Sequence, residues 1–344
     1  MFRPKYNLSK MLLDNIVRIK NIVQELNEQR FSDLVLAEFE KDGYAVSAFA
    51  STSIEGNPLP LTDVKRLLKQ KPSVVRDTEK EVLNYNKALH QLNSEIKRNV
   101  EVTNDFICGI QKIVVEGLLD KKNTGKFRNQ PVVVNDPKKR QVVYMPPNVE
   151  DVTRLMQELT QFLNTESSSL DPLILAGIFH KQFVIVHPFM DGNGRTTRLV
   201  TKFLLAKMGL DTFKLFSFEN YYNKNVTKYF SSVGVYGDYY DLKDRIDFTG
   251  WLEYFTGGII DELLRVQKLL QNTQVTEMVR LSEHEKIILD YIKKHGSISK
   301  GEYARITNRA RSTQILDFKK LLDKGLVVRL NKSKATYYIL GNNL

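Results

Sequence analysis

Apolar positions in the first 270 residues recur at steps of three and four. Leu12, Ile16, Ile19, Val23 and Leu26 form one such stripe, and Val82, Tyr85, Leu89, Leu92 and Ile96 another. That is the α-helical period, so each stripe predicts a helix with one buried face. The run from Leu173 to Val186 differs, being apolar nearly all round and broken by His180 and Lys181. Asp171 and Pro172 ahead of it supply an N-cap and a first-turn proline. A helix with so little polar face belongs at the centre of a bundle, and its interruption predicts no membrane span.

One segment breaks the helical pattern. Val132-Val133-Val134 and Gln141-Val142-Val143-Tyr144 are β-formers separated by the turn-rich Asn135 to Arg140 and closed by Pro146-Pro147. They predict a lone β-hairpin, a unit that is marginal unless it packs on something or binds an extended peptide along its free edge. After Trp251 a helix runs to about Leu270, and residues 271–280 read as a polar linker. The remainder, 281–344, reads as helices at Glu283 to Lys293, Lys300 to Ile306 and Ser312 to Leu322, then strands at Gly325 to Arg329 and Ala335 to Ile339. That order is the one expected of a winged helix-turn-helix. The fold class is therefore mainly α, with one hairpin and a small second domain.

Composition adds little until the charge is located. The 344 residues, 42% hydrophobic, suit about two domains, and no internal repeat or low-complexity tract is present. Of the formal +11, residues 281–344 carry +7, with 13 Lys and Arg against 6 Asp and Glu. A basic tail meets nucleic acid or an acidic protein, or is simply a solvated face. Arg309, Arg311, Ser312, Thr313 and Gln314 at the front of its third helix, and Lys332 and Lys334 between its strands, are the residues that would face DNA. Cys108 is the only cysteine, so no intramolecular disulfide forms, and the start Met1 to Tyr6 lacks an apolar leader core. Both point to a cytoplasmic protein.

The densest chemistry lies in His187-Pro188-Phe189-Met190-Asp191-Gly192-Asn193-Gly194-Arg195-Thr196-Thr197-Arg198, between the apolar run and a further helical stripe. The glycines let successive N–H groups converge on an anion at a helix start. Arg195 and Arg198 are three apart, hence on one face, and a guanidinium fork matches phosphate oxygens. Asp191 offers a carboxylate to Mg²⁺, a metal usually shared with substrate phosphates. His187 is suited to take a proton from an attacking hydroxyl.

This string resembles, without a mismatch, the signature of the Fic domain family, most of whose members transfer AMP from ATP to a protein hydroxyl. Gly125-Lys126-Phe127-Arg128 leading into the hairpin resembles the family's flap (here 125–147), which holds a target segment by strand addition, and His180 to Phe183 resembles its approach to the signature. Asn225 to Phe230 and Asp247 through Trp251 to Phe255 are similar too, although Val226 and Phe230 stand where Arg or Lys and Tyr are commoner. The resemblance implies His187 as general base, Asp191 as Mg²⁺ ligand, Gly192, Asn193 and Gly194 as phosphate cradle, and Arg195 and Arg198 as polyphosphate clamps. It implies Tyr229 as an adenine contact. Gly194, where a kinase-like branch carries lysine, implies AMP rather than phosphate as the transferred group. On this reading residues 1–100 are an N-terminal helical region and 101–270 the catalytic core.

Ser51 and Glu55 lie one helical turn apart, with Gly56 suited to end a helix and Pro58 beyond it. By themselves they describe a helix end with a polar face. In the context of the resemblance, Ser51-x-x-x-Glu55-Gly56 resembles the family's inhibitory helix, and Glu55 is expected to pair with Arg198. ATP as co-substrate, Mg²⁺, a target protein along the flap and self-association all follow from the resemblance. Two other readings remain open here: removal of AMP at the same site, and a DNA-binding regulator whose Fic domain senses nucleotide.

Overall fold

The computed structural model describes all residues except 1, 30–32, 71, 73, 99, 137–140, 276–281, 324–325, 333–334 and 342–344. Two compact units emerge, one of residues 1–30 with 40–267, the other of residues 31–39 with 268–344. The first contains α1 (Lys10–Glu28), most of α2 (Asp33–Ile54), α3 (Leu61–Gln70), α4 (Asp77–Lys97), α5 (Asn104–Val114), α6 (Val149–Glu166), α7 (Pro172–Val186), α8 (Asn193–Leu205), α9 (Glu219–Lys224), α10 (Val226–Val233), α11 (Tyr239–Leu242) and most of α12 (Thr249–Val275), residues 33–39 and 268–275 of α2 and α12 belonging to the second. Three short strands accompany them: β1 (Val134–Asp136), β2 (Gln141–Met145) and β3 (Gly237–Asp238).

The helical stripes are buried as expected. Leu12, Ile16, Ile19, Val23 and Leu26 line the inner face of α1, and Val82, Tyr85, Leu89 and Leu92 that of α4. Asp171 caps α7 by accepting from the Leu173 N–H, Pro172 follows in the first turn, and 13 of the 15 residues of α7 are buried. α7 packs between α6 and α8, while α4 and α5 also lean on α8. Helices on both sides of residue 100 pack together within this unit.

The hairpin is not alone. β2 pairs antiparallel with β1 and parallel with β3, Tyr144 opposite Gly237 and Met145 opposite Asp238, so β2 is central and β1 and β3 are the edge strands. Strand geometry begins at Val134; Val132 and Val133 precede it. The sheet is fixed to the bundle by Tyr144, 3% exposed, whose hydroxyl donates to the Ile185 carbonyl of α7 at 2.9 Å. That anchor answers the marginal stability of a bare hairpin. Most of the turn, 137–140, lies outside the described residues.

α12 continues to Val275, five residues past the expected end, so 271–275 are helix rather than linker, and 276–280 lie outside the described residues. The C-terminal elements are α13 (Glu283–His295), β4 (Ile298–Ser299), α14 (Lys300–Thr307), α15 (Arg311–Asp323), β5 (Val327–Lys332) and β6 (Ala335–Leu340). β6 lies between β4 and β5, antiparallel to both. Ser282 with Glu285 and Ser299 with Glu302 form capping boxes on α13 and α14. The small core is closed by Phe318 stacked on Tyr338 at 4.1 Å. Among the described residues no helix is long and apolar enough to cross a membrane.

Candidate functional site

The loop between α7 and α8 is turned by two residues in left-handed backbone. His187 caps α7 at φ 49°, ψ 59°, and Gly192 caps α8 at φ 79°, ψ 11°. A non-glycine residue held there costs roughly 1–3 kcal/mol and persists only where neighbours over-determine it. Arg128, 4% exposed, is that neighbour: its N–H donates to the Pro188 carbonyl at 2.8 Å, its Nε to the His187 carbonyl at 2.9 Å and its Nη2 to the Pro147 carbonyl at the end of the flap. Gln111 of α5 braces the other side, donating to the Asp191 carbonyl at 3.1 Å and accepting from the Gly125 N–H at 2.6 Å. Both ends of the flap are thus fastened to the loop that carries His187 and Asp191. Glycine is also demanded by space at 192, where a Cβ would lie 2.8 Å from Val115.

Asn193 faces inward. Its side chain accepts from the Phe189 N–H at 2.9 Å and donates to the Phe189 carbonyl at 2.8 Å, so it braces the loop, leaving its backbone as the part able to meet an anion. Burial pushes His187 down to about 4, against the raising effects of a hydrogen bond to the Val184 backbone and of the Glu55 charge. The imidazole is neutral at neutral pH, as a base requires. Asp191 is half-exposed and ion-paired to Arg195 at 3.2 Å, while Arg195 also meets Glu81 at 3.4 Å. Among the described residues no cluster of three or more His, Cys, Asp or Glu exists to cage a metal. A single accessible carboxylate fits Mg²⁺ only if phosphates complete the shell, which is how that ion is commonly held.

Arg198 is fully buried. Its Nε donates to Ser51 Oγ at 2.7 Å, and its Nη2 to the Ser51 carbonyl at 2.8 Å and to Glu55 Oε1 at 2.7 Å. Burial alone would pull the guanidinium down, but the Glu55 charge and hydrogen bond together with the Tyr229 and Tyr85 hydroxyls outweigh it and hold Arg198 above its ordinary value. Arg198 Nη1 and Arg195 Nε are nevertheless buried with no hydrogen-bond partner. Buried donors of that kind cost about 1–3 kcal/mol each, and unpaired ones cluster where a ligand completes the set.

The ends of two helices explain where Glu55 sits. Gly56, at φ 94°, ends α2 with the Asn57 N–H on the Thr52 carbonyl and the Gly56 N–H on the Ser53 carbonyl, a Schellman motif that makes Glu55 the C-cap. The negative end of its own dipole repels a carboxylate there. The carboxylate instead lies against Gly194 in the first turn of α8, so close that any Cβ at 194 would collide with Oε1. Glu55 therefore fills the anion position at the start of α8.

Tyr229 adjoins Arg198, and its hydroxyl feels the charges of both Arg198 and Glu55, but it is buried. Its ring is 1% exposed, stacked on Tyr222 at 4.6 Å, and its hydroxyl meets His180 Nε2 at 2.8 Å. Thr201 donates to the Thr197 carbonyl, so its oxygen accepts from His180 Nδ1–H, and Tyr229 is the donor to Nε2. Tyr229 is a core residue in this structure and presents no face to a base. Nothing in the sequence around Gln111 and Glu81 marks them as parts of the site. For Arg128 a signal existed, since it ends the Gly125 to Arg128 stretch.

Residues 101–205 match the model of the Fic/DOC family. The protein adenylyltransferase Fic of Drosophila willistoni is 31% identical over 216 residues, 57% of this chain and 42% of that protein. The chain thus spans less than half the length of that relative. A Fic family protein from Desulfovibrio desulfuricans has the same fold over 99% of both chains, with a TM-score of 0.67 at 19% identity. A Fic domain-containing signaling protein from Bacteroides thetaiotaomicron matches 75% of this chain and 98% of its own, with a TM-score of 0.59 at 20% identity.

Proposed function

We propose that this chain is a protein adenylyltransferase whose site is held closed by its own α2. The observation that carries the reading is the Glu55 carboxylate on Arg198 at the start of α8, where a nucleotide phosphate would otherwise bind. The relatives named protein adenylyltransferase support the choice of reaction. Once Glu55 withdraws, Arg198, Arg195 and the backbone N–H groups of 192–194 take the phosphates of ATP. His187 removes the proton from a Tyr, Thr or Ser hydroxyl of a target protein. The freed oxygen attacks the α-phosphorus, the bond to the bridging oxygen breaks, and pyrophosphate leaves. Asp191 would hold Mg²⁺, which would neutralise charge on the phosphates. A target segment adds to the open edge of β1, main chain to main chain.

Incubating the Glu55→Gly chain with radiolabelled ATP and a lysate tests this. Labelled protein well above the wild-type level is expected; no label on any protein would overturn the assignment.

The C-terminal elements are read as a winged helix-turn-helix. Of the polar residues at the front of α15, Arg309 is paired with Asp317 at 3.2 Å and Gln314 donates to the Arg309 carbonyl at 2.7 Å. What faces outward includes Arg311 and Ser312 beside Ile315 and Leu316. That mixed apolar and basic face favours a protein partner over a DNA groove. Retardation of mixed-sequence duplex DNA at physiological salt would reverse that preference. Lys332 lies in β5, while Lys334, the other wing cation, is outside the described residues.

A further inference from the structure

The contact between α2 and α8 extends beyond Ser51 and Glu55. Residues 47, 51 and 55 lie on one face of α2 at four-residue steps, and residues 202, 198 and 194 on one face of α8. They meet in antiparallel order. Glu55 lies against Gly194 and Arg198, Ser51 bonds Arg198, and Ser47 bonds Lys202, whose Nζ donates to Ser47 Oγ at 2.9 Å. Taking the autoinhibited site of the preceding reading as its basis, we propose that Ser47 and Lys202 are positioning residues, a buried third rung that sets how firmly Glu55 is held.

The rung is a relay between opposite charges. Ser47 donates its only hydroxyl hydrogen to Glu219 Oε2 at 3.0 Å, so toward Lys202 it acts as acceptor. Glu219 also accepts from Tyr85 at 2.8 Å and from Ser217 at 3.1 Å, and Lys202 donates in addition to the Phe216 carbonyl. Ser47, Glu219 and Lys202 are 0%, 0% and 3% exposed. No water reaches them to replace a lost partner. Removing the hydroxyl leaves a buried ammonium and a buried carboxylate each one hydrogen bond short, a large penalty for charged groups. That penalty is relieved if α2 lifts away and lets water in, which also carries Glu55 off Arg198. The end of α2 next to Glu55 is only partly covered, whereas the Ser47 rung is sealed. The sealed rung, remote from nucleotide, is therefore the one that resists lifting.

Two measurements on the Ser47→Ala full chain test this. In hydrogen exchange, the amides of Glu55, Gly56 and Asn57 should exchange about tenfold faster, with α7 unaffected. In AMP transfer from radiolabelled ATP, Ser47→Ala should exceed wild type several-fold yet stay below Glu55→Gly, and adding it to Glu55→Gly should give no further rise. The direction is diagnostic, because general damage lowers activity. Asn15→Ala, which removes two hydrogen bonds between α1 and α12, should destabilise without opening 55–57. Unchanged exchange at 55–57 in Ser47→Ala overturns the proposal, whatever the transfer assay shows. Failure of Glu55→Gly to transfer AMP, with exchange accelerated as stated, would instead leave the rung standing and remove the adenylyltransferase reading. If Ser47→Ala does not fold, Ser217→Ala withdraws one donor from Glu219 without touching Ser51 or Arg198 and should move both readouts the same way by a smaller amount; no movement there also overturns the proposal.

Discussion

α8 and α15 begin alike and are wired differently. Each starts after a residue in left-handed backbone, Gly192 for one and Asn308 for the other, and each has arginines near its start. At α15 the part-buried donors are paired within the unit, while Arg311 faces outward: Arg309 is bidentate on Asp317, which Tyr303 also bonds at 2.8 Å, and Gln314 closes on the Arg309 carbonyl. At α8 the arginines meet four partners, Asp191, Glu81, Ser51 and Glu55, yet Arg195 Nε and Arg198 Nη1 stay buried and unbonded. Basic residues at a helix start therefore do not define an anion site. Donors left over after folding do.

The largest test of that contrast is at the base that would use the α8 site. His187→Ala should lower transfer by roughly 10²–10⁴-fold while nucleotide binding, measured by calorimetry, persists. A wild-type rate would remove His187 from the chemistry. Next, Glu55→Gly should raise transfer by about tenfold or more, because a carboxylate and a phosphate compete for one guanidinium fork. Nucleotide bound equally well by both chains, with equal transfer, would break the competition. At α15, Asp317→Ala should destabilise the C-terminal unit by about 2–3 kcal/mol in denaturant unfolding, since it strands Arg309 and Tyr303. Arg311→Ala, on the exposed face, should stay within about 0.5 kcal/mol. Equal losses in the two would mean that the paired and unpaired arginines of α15 have been misread.

The smallest effect is on pH. With a folded value near 4 against about 6.5 unfolded, His187 binds fewer protons when folded. Its contribution to stability is complete above about pH 6.5 and is lost as pH falls through 4. Titration of its imidazole by NMR should show the low midpoint; a midpoint near 6.5 would show that the ring is solvated.

The sequence carried the local parts of this well. The apolar run of α7 announced a central helix, and all twelve residues from His187 to Arg198 lie in one loop and helix start because they are contiguous. Ser51 and Glu55 reach Arg198 across more than 140 positions, and only a family resemblance suggested that pairing; their spacing alone describes a helix end. β3 has two residues, too few for any alternation to register. Tyr229 shows how an aromatic residue reads identically at a ligand surface and in a core, and Asn193 how a polar one reads identically facing out or bracing its own loop. Gln271 to Gln274 look like linker by polarity, but the backbone of α12 continues through them to Val275.

Gly194 and Glu55 share one volume, so the two positions are not free to vary separately. Any side chain at 194 must displace the carboxylate at 55. A chain of this fold that acquires lysine at 194 loses the contact between Glu55 and Gly194 in the same step, whereas one that first loses the carboxylate can accept either residue. The order of substitutions, and not only their identity, is thereby constrained by a single missing methyl group.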